Sequence, residues 1–184
     1  WYLFALGWQT VGEGNFQEAL RLMPDSGEVW FTNTKMWATP WTMFKAFIYD
    51  YLNEPEQARA AYENAEEILG KKVVEVPADP RYHSALGIAY AGLGRKEEAI
   101  KEGLMAVELL PVSKDAQYGL GHLQDLAIIY TKSGEFDLAL DKLEELLSIP
   151  SWISPVWIEW DIRFAPLRTH PRYKKLLAKY HIEE

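Results

Sequence analysis

The chain has no cysteine among its 184 residues. Disulfide bonds, thiolate chemistry and cysteine-based metal sites are therefore excluded, and the composition fits a reducing cytosol. No apolar run approaches the roughly 18 residues that a membrane-spanning helix needs, and no basic-then-apolar leader opens the sequence. We expect a cytoplasmic protein without a membrane partner. Because the sequence begins with Trp1 rather than methionine, we also expect it to be a piece of a longer polypeptide.

Basic residues are outnumbered, with 19 Lys and Arg against 27 Asp and Glu and a net charge of −8. This balance argues against nucleic acid as a partner. The charge is uneven, because residues 163–184 carry six Lys or Arg and two Glu, which leaves −12 for the remainder. This basic end either docks on the acidic body or is solvated, or else it forms a patch for an acidic partner.

Residues that could support catalysis or metal binding are few. His122 and Asp125 lie three apart on a predicted helix, and two ligands are too few for a metal without a third. The sequence from Gly92 to Lys96 follows a helix and lacks the spacing of a phosphate-binding loop. No serine lies in a Gly-x-Ser-x-Gly elbow. We predict a protein that is not an enzyme and that holds no metal and no cofactor.

The sequence does contain an internal repeat, in which a tyrosine, a turn-forming residue, an alanine and a second apolar residue recur at constant offsets. The tyrosines are 41 and 40 residues apart. Self-similarity at such a period is typical of stacked helix pairs. We therefore predict an all-α fold, an array of antiparallel helix pairs. The markers are Tyr49, Asn53, Ala58 and Ala65; Tyr90, Gly94, Ala99 and Ala106; and Tyr130, Gly134, Ala139 and Leu146.

The marker residues suit the geometry of such pairs. Helices cross closely only where side chains are small, so Gly87 is predicted to face Ala99. Gly94 and Gly134 are predicted to end the first helix of their pairs with a positive φ, and Asn53 takes that position in the first pair.

Other local signals mark where helices begin and end. Thr39-Pro40 and Asp79-Pro80 each place a capping side chain before a proline at the first helical position. The same reasoning predicts that His170-Pro171 starts a final helix from about 171 to 181. The short β-like runs 29–32 and 73–76 are predicted to lie between helical units.

The spacing resembles the signature of the tetratricopeptide repeat family, and the resemblance implies that the antiparallel helix pairs form a right-handed superhelical array. The second unit meets it best, the third keeps most of it, and the first departs most because Lys45 stands where leucine is usual. The family repeat is typically about 34 residues, so about six extra residues per step must lengthen helices or loops here. The matching residues are His83, Leu86, Gly87, Tyr90, Ala99, Ala106 and Pro111, then Leu123, Leu126, Ala127, Tyr130, Ala139 and Leu143.

A closer resemblance involves residues 86–99, 164–168 and 170–177. These stretches look like the C-terminal repeat region of large bacterial signalling proteins, in which such repeats follow a kinase, cyclase or DNA-binding module. The resemblance implies a non-catalytic interaction or scaffold module that binds a protein or peptide partner, or the upstream domain of the same polypeptide. The alternative is a sensor domain that binds a small ligand in its groove and regulates an attached enzyme.

The repeat register divides the chain into five parts. A truncated first repeat and a partly extended connector span 1–38, repeats span 39–73, 79–113 and 116–150, and a connector with a capping helix spans 151–184. The capping helix carries an apolar stripe, which we expect to cover the exposed end of the array. The stripe is Tyr173, Leu176, Leu177 and Tyr180, and its expected partners are Leu140, Leu143 and Leu147.

The resemblance also assigns the groove positions on the first helix of each pair. An apolar groove with Phe44 and Phe47 at least partly accessible would suit an amphipathic helix or an extended peptide, unless the N-terminal unit or the connector covers it. Chaperone-binding family members carry Lys and Asn at positions that hold Met43, Phe47 and Ala85 here, so capture of a C-terminal carboxylate is not expected. The predicted partner-binding residues are Met43, Phe44, Phe47, Tyr51, Arg81, Ser84, Ile88, Gln124, Asp125 and Ile128.

Eight tryptophans form two groups in the sequence, five before residue 42 and three between 152 and 160. They either fill the core where the repeat pattern breaks or form an interface, for which tryptophan is favoured. The N-terminal group is the better interface candidate.

Overall fold

The computed structural model describes residue 7, residues 9–24 and residues 30–180. Among these, residues 9–12 are helical and no helix is long and apolar enough to cross a membrane. The elements that follow are α1 Phe16–Leu22, β1 Trp30–Asn33, β2 Ala38–Pro40, α2 Trp41–Tyr51, α3 Pro55–Glu75, α4 Pro80–Gly92, α5 Lys96–Leu109, α6 Gly119–Lys132, α7 Phe136–Ser148, α8 Pro155–Trp160, the 3₁₀ helix Ile162–Thr169 and α9 Pro171–Tyr180.

The central part of the chain is an array of helix pairs, as the repeat predicts. Within the described residues, α2 packs with α3, α4 with α5, and α6 with α7, and each pair packs on the next. The first helices of the pairs form an inner layer and the second helices an outer one. The all-α fold of the tetratricopeptide type is therefore confirmed. A two-stranded antiparallel hairpin, β1 and β2, precedes α2.

The turns within the pairs have the predicted backbone conformation. The φ angle is 59° at Asn53 and 76° at both Gly94 and Gly134. In each case the chain reverses after a helix, and the left-handed conformation closes the last turn. Asn53 adopts it because asparagine tolerates positive φ better than most residues.

The close helix crossing at Gly87 is also confirmed. A Cβ atom built on this glycine would lie 2.7 Å from Cδ1 of Ile129 and 2.9 Å from the carbonyl oxygen of Ala99. The backbones of α4 and α5 therefore approach at a distance that only glycine permits, as the marker alanine at 99 suggests.

Two of the three predicted proline starts are correct, since Pro171 begins α9 and Pro80 begins α4. Asp79 accepts a hydrogen bond from the Arg81 amide at 3.0 Å and Pro80 is the first residue of α4. The start at Thr39-Pro40 is wrong, because both residues belong to strand β2. Pro40 instead precedes α2 with an extended backbone, and no side chain caps that helix.

The β-like run 29–32 overlaps strand β1, whereas the run 73–76 is wrong as a break between units. Helix α3 continues through Glu75, with Val73 packed against the core and Val74 on the outside. A run of four valine-rich residues fits a helix end as well as a strand.

The residues by which each unit exceeds the family repeat length lie in two different places. Between the first and second units the extra length lies in the 21-residue α3. In the second step it lies in the loop 110–118, where Asp115 caps the amides of Gln117 and Tyr118.

The C-terminal helix α9 caps the array as expected. Tyr173, Leu176 and Leu177 are buried, Tyr180 is partly buried against the same core, and α9 packs on α7. An end helix with one apolar side closes a repeat array that would otherwise expose its core.

The basic C-terminal end docks on the acidic body. Arg172 pairs with Asp137 and Asp141 of α7, each at 2.7 Å, and Lys179 pairs with Glu144 at 2.6 Å. Of the interpretations left open by the sequence, docking is thus the one that the structure supports for these two residues.

Candidate functional site: the inner groove

The inner face of the array is covered rather than open. Residues 119–131 of α6 are all buried, and so are residues 82–89 of α4. A helix that is buried on every side has other elements packed against its inner face as well as its outer face. The first helices of the pairs therefore line an inner groove, as predicted, but other parts of the chain fill it.

The predicted groove residues lie mostly inside the protein. Phe44 is 0% exposed and Phe47 4%, so the prediction that they are accessible is wrong. Tyr51 is 41% exposed and Arg81 is partly exposed, so both reach the surface. Whether the set contacts a partner stays a prediction. The buried members are Met43, Phe44, Phe47, Ser84, Ile88, Gln124, Asp125 and Ile128.

The first covering element is the hairpin of β1 and β2, which belongs to the connector. Arg81 on α4 donates from Nη1 to the carbonyl oxygen of Thr34 at 2.6 Å. The turn also presses on α6, because a Cβ atom at Gly121 would lie 2.5 Å from Cγ of Met36. The hairpin thus covers α4 and the beginning of α6. This agrees with the alternative, left open by the sequence, that the connector covers part of the groove.

The second covering element is the stretch 161–169, which we call the groove segment. It consists of Asp161 and the 3₁₀ helix, and it packs on both α2 and α6. Its side chains at Ile162, Phe164 and Leu167 are buried. The guanidinium of Arg163 lies 5.6 Å from the ring centroid of Phe47. The predicted groove phenylalanine is therefore buried by the chain's own C-terminal part.

Polar side chains join the groove segment to α6. Asp161, which is fully buried, receives a long hydrogen bond of 3.5 Å from Nε2 of Gln124. The same carboxylate accepts from the Arg163 amide at 3.0 Å and pairs with its guanidinium at 2.6 Å. This Asp-x-Arg pair repeats the arrangement of Asp79 and Arg81 at the start of α4. The sequence could have revealed it, since an Asp-x-Arg spacing occurs at both helix starts.

A buried polar cluster lies below the segment. Burial raises the pKa of Asp125 to about 7, partly opposed by Arg163 and by a hydrogen bond with Ser84. Burial also lowers the pKa of His122 to about 4, and Nδ1 of His122 lies 3.0 Å from Oγ of Ser84. At neutral pH the imidazole is therefore uncharged and Asp125 is partly protonated, which limits the charge buried in the cluster.

The cluster does not have the arrangement of a nucleophilic site. Ser84 stands in the middle, bonded to His122 on one side and Asp125 on the other, whereas nucleophilic catalysis places the histidine in the middle. Ser84 is 1% exposed and His122 is 0% exposed, so a substrate has no access. Among the described residues, no three His, Asp or Glu side chains converge on a common point where a metal could bind.

A second polar group joins the first and third pairs. The Tyr62 hydroxyl donates to Oδ2 of Asp50 at 2.6 Å, and Lys132 pairs with the same carboxylate. Burial raises the pKa of Tyr62 well above its usual value, and Asp50 adds to the effect. The ammonium of Lys132 also lies 4.9 Å from the Tyr62 ring centroid.

Next to this group the groove segment leaves a cavity of about 220 Å³ unfilled. The cavity opens between α2, the end of α6 and the 3₁₀ helix. It combines aromatic and aliphatic walls with one acidic and two basic side chains. Its lining residues are Phe47, Asp50, Tyr51, Lys132, Ile162, Arg163, Ala165 and Pro166.

The two tryptophan groups of the sequence meet in one row. The ring centroids of Trp37 and Trp152, of Trp152 and Trp157, and of Trp157 and Trp160 are each 5.6 Å apart. Trp152 is 39% and Trp160 is 37% exposed, so the row is partly core and partly surface. Trp41 is buried, while the side chains of Trp1, Trp8 and Trp30 lie outside the described residues.

The described residues thus form an array of antiparallel helix pairs whose inner groove is covered by other parts of the chain. Comparison with known families is in agreement, since residues 123–153, which include most of α6 and all of α7, match the family model of the tetratricopeptide repeat. The chain therefore carries a tetratricopeptide repeat, as its spacing predicts. Such repeats are typically non-catalytic, and the match indicates a protein–protein interaction module. A search of curated proteins finds no match to the sequence.

Proposed function

We propose that this chain is the non-catalytic interaction or scaffold module of a larger bacterial regulatory protein in the cytoplasm. Its inner groove binds a peptide or a helix, supplied by a separate protein or by an upstream module of the same polypeptide. The observation that carries the proposal is that the groove between α2 and α6 already accommodates a short polypeptide, the groove segment 161–169.

The bound segment indicates the chemistry that the groove accepts. Ile162, Phe164 and Leu167 place three apolar side chains against the array. Two polar residues of α6, Gln124 and Asp125, lie near Asp161 and Arg163 at the beginning of the segment. We therefore expect a partner with a short helical turn, apolar residues at spacings of two and three, and a charged pair at one end. This partner class fits helix-in-groove recognition.

The cavity beside the segment is the observation that favours the alternative, a small-ligand sensor. Lys132 and Arg163 would meet an anionic ligand there. However, both are paired, with Asp50 and Asp161 respectively. The volume of about 220 Å³ is also below the roughly 300–1,000 Å³ that is usual for ligand pockets. A peptide that extends beyond the cavity suits these walls better.

Panning of a displayed peptide library on the intact chain tests the proposal. Enriched peptides should share the apolar spacing of the groove segment. Their affinity should fall by about 5- to 30-fold for Tyr51→Ala, because this exposed ring lines the cavity and a well-packed aromatic contact is worth on the order of 1–2 kcal/mol. Leu104→Ala is the matched control, since Leu104 is 49% exposed on the outer helix α5. Equal losses for both variants, or a loss for Leu104→Ala alone, would place binding outside the groove.

A further inference from the structure

We propose that the groove segment is a built-in competitor, which the partner must displace before it can bind. The contact of residues 161–169 with α2 and α6 is thus autoinhibitory. The inference rests on the proposed function, because it concerns the same groove, and it adds how access to that groove is controlled.

The first argument is steric. The segment packs on the side chains that the repeat register assigns to a partner, notably Phe47 and Gln124. Phe47 is 4% exposed and Gln124 is 1% exposed while the segment is in place. A peptide cannot reach these side chains until the segment leaves, so the two occupants exclude each other.

The second argument is that the segment is a weakly built element, followed by a better anchored one. It is a 3₁₀ helix of eight residues with Pro166 inside. The 3₁₀ hydrogen-bond geometry is poor, runs beyond three or four residues are uncommon, and a proline supplies no amide donor. The following helix α9 has its own attachment to α7, through buried Leu176 and Leu177 and the ion pairs of Arg172. The segment can therefore open while the cap remains docked.

The third argument concerns the polar contacts across the interface. The hydrogen bond from Gln124 to Asp161 is long, at 3.5 Å, and Oε1 of Gln124 is buried without a hydrogen-bond partner among the described residues. An unsatisfied buried acceptor costs free energy. The Asp161–Arg163 ion pair lies within the segment, so it moves with the segment and is not separated by displacement. A partner that satisfies Gln124 would gain relative to the segment.

The fourth argument is that the segment leaves room beside itself. The cavity of about 220 Å³ is bounded by Ile162, Arg163, Ala165 and Pro166 on the segment side and by Tyr51 on the other. An incoming peptide can make its first contacts there, next to the element that it replaces.

Native-state hydrogen exchange on the intact chain tests the opening directly. Amides of residues 162–165 and 167–169 should exchange through a local opening, with protection at least about tenfold below that of amides in α4 and α6, which open with the core. Equal protection of the segment and α6 would show that the segment is an integral part of the core, and it would overturn the proposal.

A trans-binding experiment tests the competition. The probe is a fluorescein-labelled synthetic peptide with the sequence of residues 158–170. Phe164→Ala weakens the attachment in cis, because Phe164 is a fully buried anchor of the segment. This variant should bind the peptide at least about tenfold more tightly than the wild type, since apparent affinity scales with the open fraction. Thr169→Ala, at the exposed end of the segment, is the control and should bind as the wild type does.

The outcomes separate the two proposals. A folded Phe164→Ala variant that binds the peptide no better than the wild type would overturn autoinhibition, and if the variant does not fold, hydrogen exchange of the wild type decides. Library-selected peptides that bind the wild type as tightly as the variant would leave the proposed function intact and remove the autoinhibition. Binding of the segment peptide to the variant, with no groove-dependent binding of selected peptides, would support autoinhibition and contradict the proposed partner class.

Discussion

The carboxyl group of Asp125 should make the stability of this protein depend on pH in an unusual direction. Burial raises its pKa from 3.8 to about 7. Because the folded pKa lies above the unfolded one, the folded state binds the proton more tightly between about pH 4 and pH 7. The free energy of unfolding therefore falls as pH rises through this window. The difference of roughly 3 units between the folded and unfolded pKa corresponds to about 4 kcal/mol of unfolding free energy, at about 1.4 kcal/mol per unit.

Asp125→Asn removes this ionisation and keeps a side chain of nearly the same shape. We expect the variant to resemble the wild type near pH 4 and to be more stable by up to about 4 kcal/mol at pH 8. Urea denaturation, followed by circular dichroism between pH 4 and pH 8, measures the difference in unfolding free energy at each pH. The unfolding free energy of the variant minus that of the wild type should rise with pH, and the sign of this slope is the critical quantity.

The difference profile is needed because His122 contributes with the opposite sign. Its folded pKa of about 4 is below the ordinary value of 6.5. Its contribution to stability is therefore complete above pH 6.5 and lost as pH falls toward 4. In the wild type the slopes from Asp125 and His122 oppose each other in this range. Subtracting the two profiles removes the histidine term, and the variant alone should lose stability steeply in acid.

Asp137→Asn serves as the control. The Asp137 side chain is 72% exposed in its pair with Arg172, and surface pairs contribute about 0–1 kcal/mol. Its difference profile should be nearly flat. A flat profile for Asp125→Asn as well, whether offset or not, would refute the inference that Asp125 is buried and largely uncharged below neutral pH.

Three other changes test the packing and the helix ends. Gly87→Leu should lower the melting temperature, because overpacking costs about 1–3 kcal/mol and a Cβ there would already lie 2.9 Å from a facing carbonyl oxygen; Gly70→Ala, with no atom within 4 Å of its Cβ, should instead stabilise by about 0.5–1 kcal/mol. Deleting residues 170–184 should lower the melting temperature and increase light scattering, whereas an equally stable monomer would show that the cap is dispensable. Asp79→Ala should cost about 0.5–2 kcal/mol in urea denaturation, while Thr39→Ala, which caps no helix, should stay within about 0.5 kcal/mol.

The sequence predicts the helix pairs well because their requirements are local. A positive φ at Asn53, Gly94 and Gly134 needs a residue that tolerates it, and a close crossing at Gly87 needs the absence of a side chain. These requirements recur every 40 or 41 residues, so the pattern can be read from one sequence. The apolar stripe of α9 is local in the same sense, since it lies within a single short helix.

The covering of the groove could not be predicted in this way. Phe47 is buried partly by Arg163, which is 116 positions further along the chain and belongs to no repeat. The groove segment has neither a helical nor a strand period, because it forms a 3₁₀ helix around Pro166. Sequence reasoning therefore places the groove residues on the correct helices but assigns them the wrong exposure.

The two elements that cover the groove differ in a way that bears on which one moves. The hairpin is held by Arg81, a residue of α4 itself, which donates to the carbonyl oxygen of Thr34 and pairs with Asp79 on the same helix start. Removing the hairpin would break a hydrogen bond to a charged group, which typically costs about 1.5–3 kcal/mol. The groove segment carries both members of its ion pair, Asp161 and Arg163, so its departure leaves that pair intact, and the hydrogen bond that it does break, from Gln124 to Asp161, is long at 3.5 Å. The polar arrangement therefore favours a fixed hairpin and a displaceable segment, and a partner is expected to enter from the side of α2 rather than from the side of α4.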